Sequence, residues 1–136
     1  MSRLREEAAE SAAAWLASAG DDLAIAERGL RPPALLALVC YHAEQAAEKA
    51  VKAHLAWLGE ERIPRTHELD KLAALIDARG GTPPPDEMLT PLQPFATAAR
   101  YPGGPVVTAA TAEEALHLAR EVVAHVRRSL GLEEGA

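Results

Sequence analysis

Three observations predict an all-α protein, an antiparallel up-and-down bundle of four to five helices, for this 136-residue chain. Hydrophobic residues make up 49% of it and aromatics only 4%, so its core must be assembled from Ala, Leu, Val and Ile. Ala and Leu are strong helix formers, whereas the β-branched and aromatic strand formers are sparse. Apolar residues also recur at steps of three and four in successive segments. Short Pro- and Gly-bearing connections separate those segments, as antiparallel neighbours require. The length fits one domain, residues 1–136, with a core over about 8–130 and a frayed tail at 131–136. There is no internal repeat and no low-complexity tract.

The first helix carries Trp15, Ala19, Leu23, Ala26 and Leu30 as one continuous stripe. Gly20 weakens it without shifting its phase, and "GLRPP" marks a turn over Gly29 to Pro33. A second helix follows from about Pro33 to Leu58 and stops at Gly59. Past "GEERIPR", Thr66 is placed to cap a third helix bearing Leu69, Leu72, Ala73 and Ile76, which "RGG" ends at Gly80. The stretch "GGTPPPDE" cannot be helical. Thr90 and Gln93 have capping-box spacing, with Pro91 at the first helical position. They predict a short fourth helix to about Arg100 that carries Leu92, Phe95, Ala96 and Ala99, with Met88 and Leu89 packing before it. After "RYPGGPVVTAAT", Thr111 with Glu114 forms a second capping box. The last helix then stacks Ala115, Leu116, Ala119, Val122, Val123, Val126 and Leu130 on one side and frays into "GLEEGA".

Fourteen Lys and Arg against twenty Asp and Glu give a formal net charge of -6. A diffuse electrostatic grip on nucleic acid is thereby disfavoured, although a local basic patch is compatible with the total. One cysteine, Cys40, excludes an intrachain disulfide and a multi-cysteine metal site, and its place on an apolar arc predicts a buried, inert thiol. The N-terminus "MSRLREEAAES" has no apolar h-region, and no segment approaches the roughly 18 uninterrupted apolar residues of a membrane span. A cytoplasmic protein that does not enter a membrane is the expectation. Phosphate-binding glycine loops, a Ser-His-Asp grouping and H-E-x-x-H are all missing, so no cofactor and no metal is predicted. His54 falls on the apolar arc of its helix, where a hydrogen-bonded core or interface residue is the plain reading, and no ligand at i+4 completes a metal pair.

The second helix, "QAAEKAVKAHLAWLG" from Gln45 to Gly59, is the informative one. Wound at about 100° per residue, it places Val39, Ala43, Ala46, Ala47, Ala50, Ala53, Trp57 and Leu58 on one arc. Tyr41, Glu44, Gln45, Glu48, Lys49 and Lys52 take the other. Small alanines let a neighbouring helix approach closely, which marks this helix as central. The charge pattern alone predicts a solvated polar face, with Glu48 and Lys52 paired at i,i+4. His67, just after Thr66 at a helix start, is either a surface residue or a polar contact in a groove.

Taken in order, "WLASAGDDLAIA", "QAAEKAVKAHLAWLG", "THELDKL" and "ARYPG" resemble the HEPN domains (higher eukaryotes and prokaryotes nucleotide-binding), over roughly residues 8 to 130. Gln45, Glu48, Lys49 and Lys52 match the family's Q-A-x-E-K-x-x-K pattern, His67 its T-H-x-L, and Arg100, Tyr101 and Pro102 its R-Y-P element. The resemblance implies a helical bundle that forms a homodimer and is the partner of a minimal nucleotidyltransferase, in pairs of toxin-antitoxin type or as paired modules of unknown role. It also implies that Gln45, Glu48, Lys49, Lys52, His67, Arg100 and Tyr101 are the ligand-binding residues, the ligand being a nucleotide or RNA.

Some members of that family are metal-independent ribonucleases with an Arg-x(4 to 6)-His motif. Here the positions where that motif would place its histidine after Arg100 hold Pro105, Val106 and Val107, and Thr108 follows, with no histidine in reach. Arg120 and His125 satisfy R-x4-H literally, but five residues of helix turn through about 500°, which leaves their side chains about 140° apart. Catalysis would ask Arg100 or Lys49 to hold phosphate and His67 to move a proton. Three functions follow: a non-catalytic nucleotide-binding and partner-binding dimer, a ribonuclease toxin, or a purely structural helical dimer.

Overall fold

The computed structural model describes residues 2–98 and 106–132, and every regular element among them is helical. The elements are α1 (Arg3–Gly29), α2 (Leu36–Trp57), α3 (Leu69–Ala78), α4 (Asp86–Leu89), a 3-10 turn (Thr90–Leu92), α5 (Phe95–Ala98) and α6 (Ala109–Ser129). The long helices pack antiparallel. α2 lies in the middle, against both α1 and α6, while α3 and α5 cover its remaining sides.

Small side chains explain that centrality. Ala12, Ala19 and Ala26 of α1 and Ala43, Ala46, Ala47, Ala50 and Ala53 of α2 are all buried, so the helix axes can draw close. Gly29 closes the α1–α2 corner: a Cβ there would sit 2.7 Å from Val39 Cγ2. Larger residues fill the space towards the other helices, among them Leu55, Leu69, Leu72, Ile76, Leu92, Leu116 and Val122, all buried. Each such side chain stabilises the fold by roughly 1.5–3 kcal/mol relative to exposure. At the opposite end, the Arg5 guanidinium stacks 4.1 Å above the Trp57 ring and ties the start of α1 to the end of α2.

The helix ends depart from the sequence reading. α2 begins at Leu36, not Pro33, and has no side-chain cap. Thr66 does not cap α3: its hydroxyl accepts from Glu68 N–H at 3.1 Å in a local turn, and Glu68 occupies the N-cap. Gln93 makes no capping box with Thr90, because its side-chain oxygen accepts from Asp70 N–H at 3.3 Å and so serves the first turn of α3. The single fourth helix is replaced by α4, the 3-10 turn and α5, with Pro91 and Pro94 interrupting the backbone donors, and Asp86 and Glu87 of the stretch expected to be non-helical open α4 behind Pro85. Its predicted end, at Ala99 and Arg100, lies outside the described residues. α6 is capped by Thr108, whose hydroxyl accepts from Thr111 N–H at 3.1 Å, so the helix starts one turn before the Thr111–Glu114 pair. Gly80 follows α3 at φ +83° and Gly59 follows α2 at φ +94°, left-handed positions that suit glycine. No described helix is long and apolar enough to cross a membrane.

Candidate functional site

The polar arc of α2 is largely buried, which overturns the solvated face expected from its charge pattern. Glu44, Glu48 and Lys52 are 0%, 4% and 6% exposed. A carboxylate or ammonium this deep is tolerated only with partners, and the partners come from α2 itself and from two other parts of the chain. Glu48 Oε2 accepts from Lys52 Nζ at 2.9 Å, and Glu48 Oε1 meets His67 Nδ1 at 2.7 Å. Trp15 of α1 lies over the same ammonium, 5.7 Å from Lys52 Nζ to the ring centre, a cation–π contact. The helical i,i+4 pair was legible in the sequence; the tryptophan cover and the histidine were not tied to it there.

A carboxylate oxygen only accepts, so His67 Nδ1 carries the hydrogen towards Glu48. Nε2 is then the nitrogen left for an outside group, on a side chain 43% exposed. Glu48 thus links a buried lysine to an exposed imidazole and fixes that ring's orientation.

A second cluster stands beside the first. Asp22 of α1 is 5% exposed, and its Oδ1 meets His42 Nδ1 at 2.8 Å. Its Oδ2 lies 2.7 Å from Lys49 Nζ, an ion contact outside good hydrogen-bond angles. Tyr41 is edge-on to His42, with ring centroids 5.2 Å apart. Sequence reasoning passed over Asp22 and His42. A signal was present, because the stripe through Ala19 and Ala26 passes Asp22 as closely as Leu23. His42 also precedes Lys49 by seven residues, two helical turns, so the two share a face.

The predicted site residues therefore separate. Glu48, Lys52 and His67 converge, Lys49 joins Asp22 and His42, and Gln45 Nε2 donates to Glu44 at 2.8 Å. Arg100 and Tyr101 lie outside the described residues. Arg120 reaches Glu27 of α1 at 3.2 Å, whereas His125 Nε2 lies 3.0 Å from the carbonyl oxygen of Thr82. The two members of the literal R-x4-H thus have different partners. Among the described residues, no three His, Cys, Asp or Glu side chains converge as a metal cage would require.

Two further groups are buried away from these clusters. Burial raises the Cys40 thiol to a pKa of about 11, which leaves it protonated and unreactive. His54 is 3% exposed, and its Nδ1 has no hydrogen-bond partner, so the hydrogen-bonded core histidine of the sequence reading is buried but not satisfied there. Its pKa is lowered first by desolvation and then by the charge of His125.

An all-α bundle whose central helix buries two carboxylate-centred ionic clusters is the class that these elements define. The HEPN domain model matches residues 12–129, and the chain belongs to the HEPN family. Among solved structures, TT1696 from Thermus thermophilus is similar, with 29% identity, 87% of this chain and 97% of that chain covered, and a TM-score of 0.69. ST0689, an archaeal HEPN homologue, shares the fold at 24% identity, with 96% and 99% covered and a TM-score of 0.65. No functionally curated protein matches the chain significantly.

Proposed function

We propose that this protein is a non-catalytic HEPN module, a homodimer that binds a nucleotide and pairs with a minimal nucleotidyltransferase in a system of toxin-antitoxin type. The observation that carries this reading is the state of its cations. Lys49 and Lys52 each face a buried carboxylate, Asp22 and Glu48. A group that clamps a phosphate as charge develops needs positive potential to spare, and carboxylates this close cancel it. Among the described site residues, the His67 ring faces outward, held by Glu48 and suited to hydrogen-bond a polar ligand.

Isothermal titration of the purified protein with ATP tests the binding half, and co-purification with the product of an adjacent nucleotidyltransferase gene tests the pairing half. Saturable ATP binding is expected, weakened about tenfold in His67→Ala. Absence of both ATP binding and co-purification would overturn the reading in favour of a purely structural dimer.

One observation favours a ribonuclease instead. A carboxylate-held imidazole with its outer nitrogen exposed has the geometry of a general base. RNA integrity after induced expression separates the two, since degradation by the wild type that His67→Ala abolishes belongs to an enzyme and not to a binding module.

A further inference from the structure

The corner where α1 gives way to α2 holds an open cup of about 230 Å³ on the protein surface. Its walls are Ile25, Leu35 and Leu38, which are 49%, 55% and 44% exposed, and Gly29 forms part of its lining. Three large aliphatic side chains thus gather at one exposed point instead of being scattered singly over the surface. The site clusters of α2 lie on a different set of residues, with His42 as the one member they share with the cup.

Its one formal charge is positive, although the chain carries a net charge of -6. That charge is Arg28; the other polar member of the lining, His42, has its Nδ1 engaged by Asp22, and no carboxylate lines the cup itself. Arg28 has no ion-pair partner among the described residues. α2 starts beside it at Leu36, with Leu35 as N-cap, no side-chain cap and no acidic residue in its first turn. The first-turn N–H groups of that helix therefore add positive partial charge at the rim.

We propose that this corner is a docking site for an acidic, amphipathic peptide segment of a partner protein. A large aliphatic side chain of the partner would sit between Ile25 and Leu38. A carboxylate next to it would meet the Arg28 guanidinium and the open first turn of α2. A second copy of this chain is the competing occupant, and loss of self-association on changing the corner would reveal it. Docking here is independent of nucleotide binding at His67.

Fluorescence anisotropy with two labelled peptides tests it on the full-length protein. One peptide carries Leu at helical spacing with Glu between, and the other is identical but has Lys for every Glu. The wild type is expected to bind the Glu peptide about tenfold more tightly than the Lys peptide. Leu38→Asp should abolish that binding, and Arg28→Glu should reverse the preference. Both residues are exposed, and unchanged circular dichroism melting would show that the variants fold. Equal affinity for the two peptides, or binding that neither variant alters, would overturn the proposal. So would failure to bind either peptide together with loss of self-association in Leu38→Asp, which would assign the corner to a second copy. Binding only to phosphatidylglycerol vesicles would assign it to a lipid surface.

Discussion

Glu48 is 4% exposed and serves two partners at once, the ammonium of Lys52 and the ring of His67. Removing one member of a buried ion pair leaves an uncompensated charge, whereas replacing both with apolar groups removes the problem with the charges. Lys52→Met is therefore expected to destabilise the protein by about 3 kcal/mol, and Glu48→Leu combined with Lys52→Met should recover most of that loss. Urea denaturation of both variants checks this, and a double variant no more stable than Lys52→Met would contradict it. The spacing of Glu48 and Lys52 was legible in the sequence, but their burial was not. Trp15 comes from α1 and His67 from the segment before α3, and no periodicity within α2 reports on either. Asp22 was missed for a related reason: a charged residue on an apolar stripe reads as a flaw in the stripe until its partners on another helix are known.

The two glycines of α1 separate local preference from packing. Gly20 lies in the helix interior, where an added Cβ would meet nothing within 4 Å, whereas a Cβ at Gly29 would meet Val39 Cγ2 at 2.7 Å. Gly20→Ala is expected to stabilise the protein by about 0.5–1 kcal/mol, through the entropy that glycine loses in a helix. Gly29→Ala should destabilise it by roughly 1–3 kcal/mol through overpacking. Thermal melts give both signs, and a second change, Val39→Ala, should relieve the loss at Gly29. The existence and order of the long helices were readable because each has a full apolar stripe. Their ends were less so, since caps depend on which hydroxyl or amide the tertiary structure leaves available. Gln93 illustrates this: its oxygen is taken by Asp70 N–H of α3 rather than by its own helix start.

At the scale of the whole molecule, His54 couples stability to pH. Its ring is pressed against the chain between α3 and α4, since a Cβ on Gly81 would lie 2.9 Å from Nε2, and its pKa is lowered from the ordinary 6.5 by burial and then by His125. A histidine whose folded value lies below its unfolded value adds stability that is complete above pH 6.5. That stability is lost as the pH falls through the folded value, because the unfolded chain takes up the proton first. The urea midpoint should therefore fall between pH 7 and pH 5, and fall less steeply in His54→Leu. Parallel curves for the two proteins would rule this out. The all-α class and the single core were evident from composition and periodicity. Which polar residues the bundle would enclose was not, because that follows from the sides on which α1 and α3 settle against α2.

Asp22 has one further consequence. An interface lined with alanines is smooth, and two such helices could slide past each other by a residue or a turn with little change in buried area. Asp22 reaches His42 and Lys49, two α2 residues separated by two turns, from a single position on α1. A shift of one residue, about 1.5 Å along the axis, would pull the carboxylate away from one of them and leave the buried Asp22 with a single partner. The contact that holds Lys49 thus also acts as a registration pin, selecting one alignment of α1 on α2 from the several that the alanines alone would tolerate.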